Sequence, residues 1–218
     1  MERGGLGPDG HFLYAVRAAG RLAAFEGQTP MGAGLPGRCA GVEINNFCKT
    51  VLRQRQKDGW LESFPIYDDV TTIDGTKFKG NFDVLCGGFP CQAFSIAGEQ
   101  KGFDDERGNL FMSFIDLISQ LNAKFGKKPR ILFLENVKNL KAHDKGRTYQ
   151  VIKRKLEASG YIIKEMVLNT MLYSDLPQNR ERIYIIGFLN KEDADQFTMF
   201  DNLTPFQKEK GTEERAED

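Results

Sequence analysis

The sequence predicts an α/β fold: a mostly parallel sheet covered by helices on both faces, three layers in all, with an antiparallel hairpin at one edge. Two observations carry this expectation. Short apolar runs suited to buried strands recur at residues 39–44, 83–86, 131–134, 162–168 and 182–188, and segments of helical length, 46–56, 109–124 and 148–159, lie between several of them. Strands alternating with helices imply parallel pairing, because each crossover must carry the chain back across the sheet. The last two runs break that rhythm. Only residues 169–181 separate them, with no clear helix between, so they pair as an antiparallel edge hairpin.

In chain order, residues 1–38 stand apart. They are rich in Gly, Ala and Arg, with turn-like clusters at 4–10 and 28–37, and residues 12–25 between them suit one helix. The regular pattern begins at Cys39. In the segment 109–124, Leu110, Phe111, Phe114, Leu117, Ile118 and Leu121 recur at helical spacing and give one apolar face. Gly160 supplies a stop for the helix that precedes it. After Leu189 the chain turns polar and then charged, so residues 191–218 read as a frayed tail. The expected organisation is an atypical segment 1–38, an α/β domain 39–190 and that tail.

A chain of 218 residues can bury a sizeable core, and 40% apolar with 28% charged residues is the composition of an ordinary globular protein. Thirty basic residues balance thirty acidic ones, so net charge alone points to no nucleic-acid partner. The balance hides a local bias: residues 124–155 hold eleven Lys and Arg against Glu135 and Asp144. Such a stretch is either a solvated surface, the common case, or a surface for phosphates. No apolar run approaches the ~20 residues of a membrane span, and the N-terminus has no export signal. The four cysteines form no CxxC pair and both histidines lie far from them, which argues against a metal site and for free thiols in a reducing cytoplasm.

The strongest chemical signal follows the run at 83–86, where the chain continues Gly87-Gly88-Phe89-Pro90-Cys91. Ligands of open α/β sheets bind outside the carboxyl ends of strands, where this cysteine falls. Glycines there permit close backbone approach, and Pro90 stiffens the turn that holds the thiol. Most cysteines in apolar runs are structural, and Cys86 keeps that reading. A second signal, Glu135-Asn136-Val137, puts a carboxylate at the end of another apolar run, suited to giving a proton or to an ion pair. The third is Pro177-Gln178-Asn179-Arg180-Glu181-Arg182, which carries arginines into a buried strand. Their charge cannot be removed and needs a partner. A structural ion pair is the ordinary reading for Arg180, whereas Arg182 points towards the site.

These three motifs, in this order, resemble the cytosine-C5 DNA methyltransferases of restriction–modification systems, over about residues 39–189. The resemblance implies the Rossmann-like fold of S-adenosylmethionine-dependent methyltransferases, with double-stranded DNA as substrate. It implies further that Cys91 is the nucleophile that adds to C6 of a flipped-out cytosine. Glu135 protonates N3, Arg182 holds the cytosine O2 and favours the thiolate, and Arg180 supports the loop around Glu135. For the cofactor, the resemblance assigns Glu43 to the ribose hydroxyls, Asp69 and Val70 to the adenine, and Gly88, Pro90 and Leu110 to the methionine end.

Two departures qualify that picture. The family's cofactor loop, Phe-x-Gly-x-Gly, is matched only by Phe25-Glu26-Gly27, because Thr29 stands where the second glycine belongs. Gly32-Ala33-Gly34 is a displaced substitute, or residues 1–38 lie outside the original fold. The family's target-recognition domain and final helix have no counterpart after Leu189. Two explanations stay open: a second chain carrying the recognition domain, or a catalytically inactive fragment that keeps the fold as a binding module.

Overall fold

A computed structural model describes residues 12–16, 39–61, 63–78, 82–89, 109–174 and 177–205. Seven strands form one sheet: β1 (Phe12–Val16), β2 (Cys39–Glu43), β3 (Ile66–Tyr67), β4 (Val84–Gly88), β5 (Ile131–Val137), β6 (Ile162–Asn169) and β7 (Glu181–Phe188). Their order across the sheet is β3-β2-β1-β4-β5-β7-β6. The helices are α1 (Asn46–Lys57), α2 (Asn109–Phe125), α3 (Arg147–Ala158), α4 (Thr170–Tyr173) and α5 (Lys191–Gln196).

Five strands, β2 to β6, share one direction, and β1 and β7 run against them. The expected edge hairpin is present, with β6 and β7 pairing antiparallel from Ile162↔Phe188 to Asn169↔Glu181. The connection between them holds the single-turn α4, too short to carry the chain across the sheet. The segment 12–25 departs from expectation. Its first five residues are strand β1, which pairs antiparallel with β2 on one side and β4 on the other. Its Ala-rich continuation had favoured a helix, but two flanking strands satisfy the backbone of Phe12–Val16, and tertiary pairing overrides local propensity.

Strand alternation divides the core between the two faces. Leu132 and Leu134 of β5 and Ile183 and Ile185 of β7 pack with Phe111, Phe114, Leu117, Ile118 and Leu121 of α2 and with Ile152 and Leu156 of α3. Ile131 and Phe133, one residue out of step, lie on the opposite face with Ile186, Phe188, Ala194 of α5, Phe197 and Phe200. Helix, sheet and helix make the three expected layers. Composition had read a frayed tail from residue 191, yet α5 forms, and Phe197 and Phe200 cover the hairpin. Three apolar side chains, Ala194, Phe197 and Phe200, suffice to dock this otherwise polar segment. Residues 206–218 lie outside the described residues.

Candidate active site

Both halves of the candidate site lie at the carboxyl ends of the parallel strands. On the α2 side, Val42 of β2 and Ile44 just after it, Asp68, Asp69 and Val70 after β3, and Gly87 and Gly88 of β4 with Phe89 just after it line a cleft together with Leu110, Phe114 and Leu134. Four of the six expected cofactor residues, Asp69, Val70, Gly88 and Leu110, thus meet in one place. Glu43 does not line the cleft. It is buried, and its Oε1 accepts from Asn45 N at 2.8 Å, at the N-cap of α1. Pro90 and Cys91 lie outside the described residues, as do Phe25 and Thr29.

The lining suits a nucleoside: an apolar slot for a base, with carboxylates at the rim to accept hydroxyl and amino protons. Asp69 is partly committed already, because its Oδ1 accepts from both the backbone and the hydroxyl of Thr71 at 2.8 Å. The enclosed part of the cleft measures about 40 Å³, room for little more than a water, so a nucleoside would have to part its walls.

On the opposite face of β5 stands Glu135. Arg182 Nε approaches its Oε1 at 2.8 Å and Arg180 Nη2 reaches the same oxygen at 3.4 Å. The sheet sets this arrangement. Glu135 lies opposite Tyr184 and Arg182 opposite Val137, so the two side chains are diagonal neighbours on antiparallel strands. The adjacent phenol of Tyr184 is pushed above its ordinary pKa, first by burial and then by the Glu135 charge. The sequence motifs therefore converge: Glu135, Arg180 and Arg182 form one charged cluster.

Gly88 joins the two halves. It pairs with Glu135 in the β4–β5 ladder and also lines the cleft. A Cβ built on it would stand 3.4 Å from Glu135 Oε2, so the carboxylate packs against bare backbone.

Sequence reasoning missed Asn136. It is buried, points to the face opposite Glu135, and donates from Nδ2 to Phe89 O at 2.6 Å, while its Oδ1 accepts from Val137 N at 2.8 Å. It anchors the carbonyl two residues before Cys91. The signal in the sequence was an amide at the end of a strand whose alternation turns it inward.

Among the described residues, no helix is long and apolar enough to cross a membrane.

Comparison with known proteins bears on the family and the fold. The chain is 50% identical over 133 residues to the type II methyltransferase M.Bsp6I of Bacillus sp. (strain RFL6), covering 61% of this chain and 40% of that protein. It is 43% identical over 129 residues to M.HhaI of Haemophilus parahaemolyticus, covering 59% and 37%. The chain thus spans about two-fifths of the length of these relatives. Among solved structures, a methyltransferase of the Dnmt2 type from S. pombe superposes with a TM-score of 0.54 at 20% identity, over 78% of this chain and 49% of that one. A protein described as a putative DNA modification methyltransferase of an E. coli prophage gives 0.55 at 22%, over 77% and 44%. At those identities the superpositions establish the fold alone. Residues 30–217 match the family described as C-5 cytosine-specific DNA methylase, and the chain belongs to that family.

Proposed function

We propose that this chain carries the catalytic region of an S-adenosylmethionine-dependent enzyme that methylates C5 of cytosine in double-stranded DNA. The observation that carries the reading is the convergence of Arg180 and Arg182 on Glu135, beside Gly88 and three residues in sequence from Cys91. In this reading the Cys91 thiolate adds to C6 of a flipped-out cytosine while Glu135 gives a proton to N3, so that the adduct is a neutral enamine. Arg182 holds O2 and orients the ring. S-adenosylmethionine supplies the methyl group to C5 and leaves as the thioether. Removal of the C5 proton then expels Cys91 as thiolate, and return of the N3 proton to Glu135 leaves the neutral aromatic ring. Asp69, Val70, Gly88 and Leu110 would hold the cofactor, with Glu43 turning from the α1 N-cap towards the ribose.

The test is trapping by DNA that contains 5-fluorocytosine, with S-adenosylmethionine supplied. Fluorine cannot leave C5 as a proton does, so the Cys91 adduct should accumulate as a stable complex. An adduct of equal yield in Cys91→Ser would refute the assignment.

A second reading is a non-catalytic module that keeps the fold. Two observations favour it: the narrow cleft of about 40 Å³ and the inverted central strand β1. It predicts no adduct under any of these conditions.

A further inference from the structure

A buried lysine ties together the two loops that border the cleft. Lys49, in the first turns of α1, keeps only 10% of its side chain exposed, and its ammonium donates to Asp68 Oδ1 at 2.6 Å. Every other residue of that helix is at least partly exposed. Asp68 lines the cleft with Asp69 and Val70, and α1 begins just after Ile44, which lines it from the other side. One ion pair therefore joins α1, which starts beside one border of the cleft, to the turn that follows β3 on the other.

The far end of that turn is held by Val70, which packs on the core, and by contact with α2, whereas the strand that leads into Asp68 is short. Strand β3 is two residues long, paired to β2 only at Gly41↔Ile66 and Val42↔Tyr67. The Asp69 side chain caps its own turn, through Thr71, which makes the turn stiff within itself without fixing it against β2. Lys49 also keeps the Asp68 carboxyl below the ordinary carboxylate range, chiefly through their hydrogen bond, so the pair stays charged well into acid.

We propose that Lys49 is a positioning residue for the adenosyl end of the cofactor: its pairing with Asp68 sets the separation between Ile44 and the Asp69–Val70 turn. The proposal rests on the cleft being the cofactor site. As a stability device the pair is poor. Burying the ammonium costs desolvation that a carboxylate 75% exposed in its side chain repays badly. A methionine of similar length would bury the same surface without that cost. Removing Lys49 should thus spare the fold and disturb the cleft.

The experiment is equilibrium dialysis of labelled S-adenosylmethionine, and separately of adenosine, against the full chain, with thermal unfolding of each variant. Lys49→Met is expected to weaken both ligands by roughly fivefold or more, with an unfolding midpoint unchanged or higher. Lys49→Arg should keep most of the affinity, and the swap of Lys49→Asp with Asp68→Lys should recover part of it. Asp68→Asn, which strands the buried ammonium, should weaken binding and lower the midpoint together. If the unaltered chain retains both ligands and Lys49→Met retains them equally well, the clamp is wrong while the cleft reading stands. If affinity and midpoint fall in step in Lys49→Met, the lysine is a fold brace and the proposal is wrong. If the unaltered chain retains neither ligand at any concentration tried, the cleft is no adenosyl site, and the clamp falls with that reading.

Discussion

Arg182 and Glu135 meet at 2.8 Å through Nε and Oε1, a diagonal pair fixed by the antiparallel register of β5 and β7. A second nitrogen of the same guanidinium, Nη1, donates to Glu181 O at 2.8 Å. Neither bond uses Nη2, which in the proposed reaction would be the nitrogen that meets the cytosine. A lysine has one charged nitrogen and cannot make the ion pair, the backbone bond and a substrate contact from one plane. Arg182→Lys should therefore lower the rate of adduct formation with 5-fluorocytosine DNA by about a hundredfold, the scale of losing one preorganised donor. A rate unchanged in Arg182→Lys would mean that positive charge alone is required there.

Asn136 makes a different prediction, because it faces the other side of the sheet. Asn136→Ala removes the side-chain bonds to Phe89 O and Val137 N, both part-buried, at a cost of about 1 kcal/mol each. Asn136→Asp keeps the acceptor for Val137 N but puts an oxygen against the Phe89 carbonyl, so it should fare no better. Urea unfolding measures the stability. Alkylation of Cys91 by iodoacetamide measures the loop, and both variants should change its rate relative to the unaltered chain.

Gly88→Ala tests the contact between strand tip and carboxylate. The new Cβ would sit 3.4 Å from Glu135 Oε2 and 3.5 Å from Glu135 O, at the near edge of ordinary van der Waals contact, so the carboxylate could then move only away from the strand tip. Stability should change by less than about 1 kcal/mol. Adduct formation should fall about tenfold, since reactivity is steep in small misplacements of a reacting group. Equal rates would show that Glu135 tolerates displacement.

How much of this was legible follows from where each signal resides. The β6–β7 hairpin could be read because residues 169–181 leave no room for a crossover, and α2 because its apolar face is local and periodic. Glu135, Arg180 and Arg182 were legible as motifs, but their meeting on one oxygen is a matter of register between strands 45 residues apart in sequence. Strand β1 was not legible, since its pairing comes from neighbours on both sides rather than from its own five residues. Nor was the bond of Lys49 to Asp68, which joins a helix to a loop with no shared pattern. Asn136 was quoted within its motif, yet its job depends on which face of β5 it takes.

Acid should loosen the segment that covers the hairpin. Asp193 of α5 forms a two-pronged ion pair with Arg130, and that arginine, chiefly by hydrogen bonding, holds the Asp193 carboxyl below the ordinary range. A depressed acid contributes stability that is complete above its unfolded value, near ~3.9, and is lost as pH falls through the lower folded value. Amide exchange of residues 191–196 should therefore stay slow at neutral pH, once corrected for intrinsic rates, and lose protection progressively below about pH 4. In Asp193→Asn the protection should be low already at pH 7 and flat across that window. A step of the same size in Asp193→Asn would place the titrating group elsewhere.

The last prediction concerns DNA, where the sequence offered eleven basic residues in 124–155. The fold divides them. Lys124 to Arg130 precede β5, at the amino ends of the parallel strands, and Arg154 and Lys155 lie in the half of α3 that leads towards the start of β6, while Lys153 is paired with Glu165 at 3.6 Å. Four remain at the carboxyl end. Lys138 is paired with Glu181 at 2.8 Å, Lys141 with Glu165 at 3.6 Å, and Arg147 with Asp144. Lys145, exposed, is the one of the four without an acidic partner among the described residues. Three of four cations must leave a carboxylate to meet a phosphate, so duplex binding by this chain should be weak and release few counterions. The slope of log affinity against log salt should be no steeper than about −4, and Lys145→Glu should make it shallower by about one. Fluorescence anisotropy on unrelated duplexes, from low to moderate salt, measures both. Because phosphate contacts carry no sequence information, affinities should be alike across duplexes. A marked preference of these 218 residues for one duplex over the others would show instead that base edges are read from within this chain.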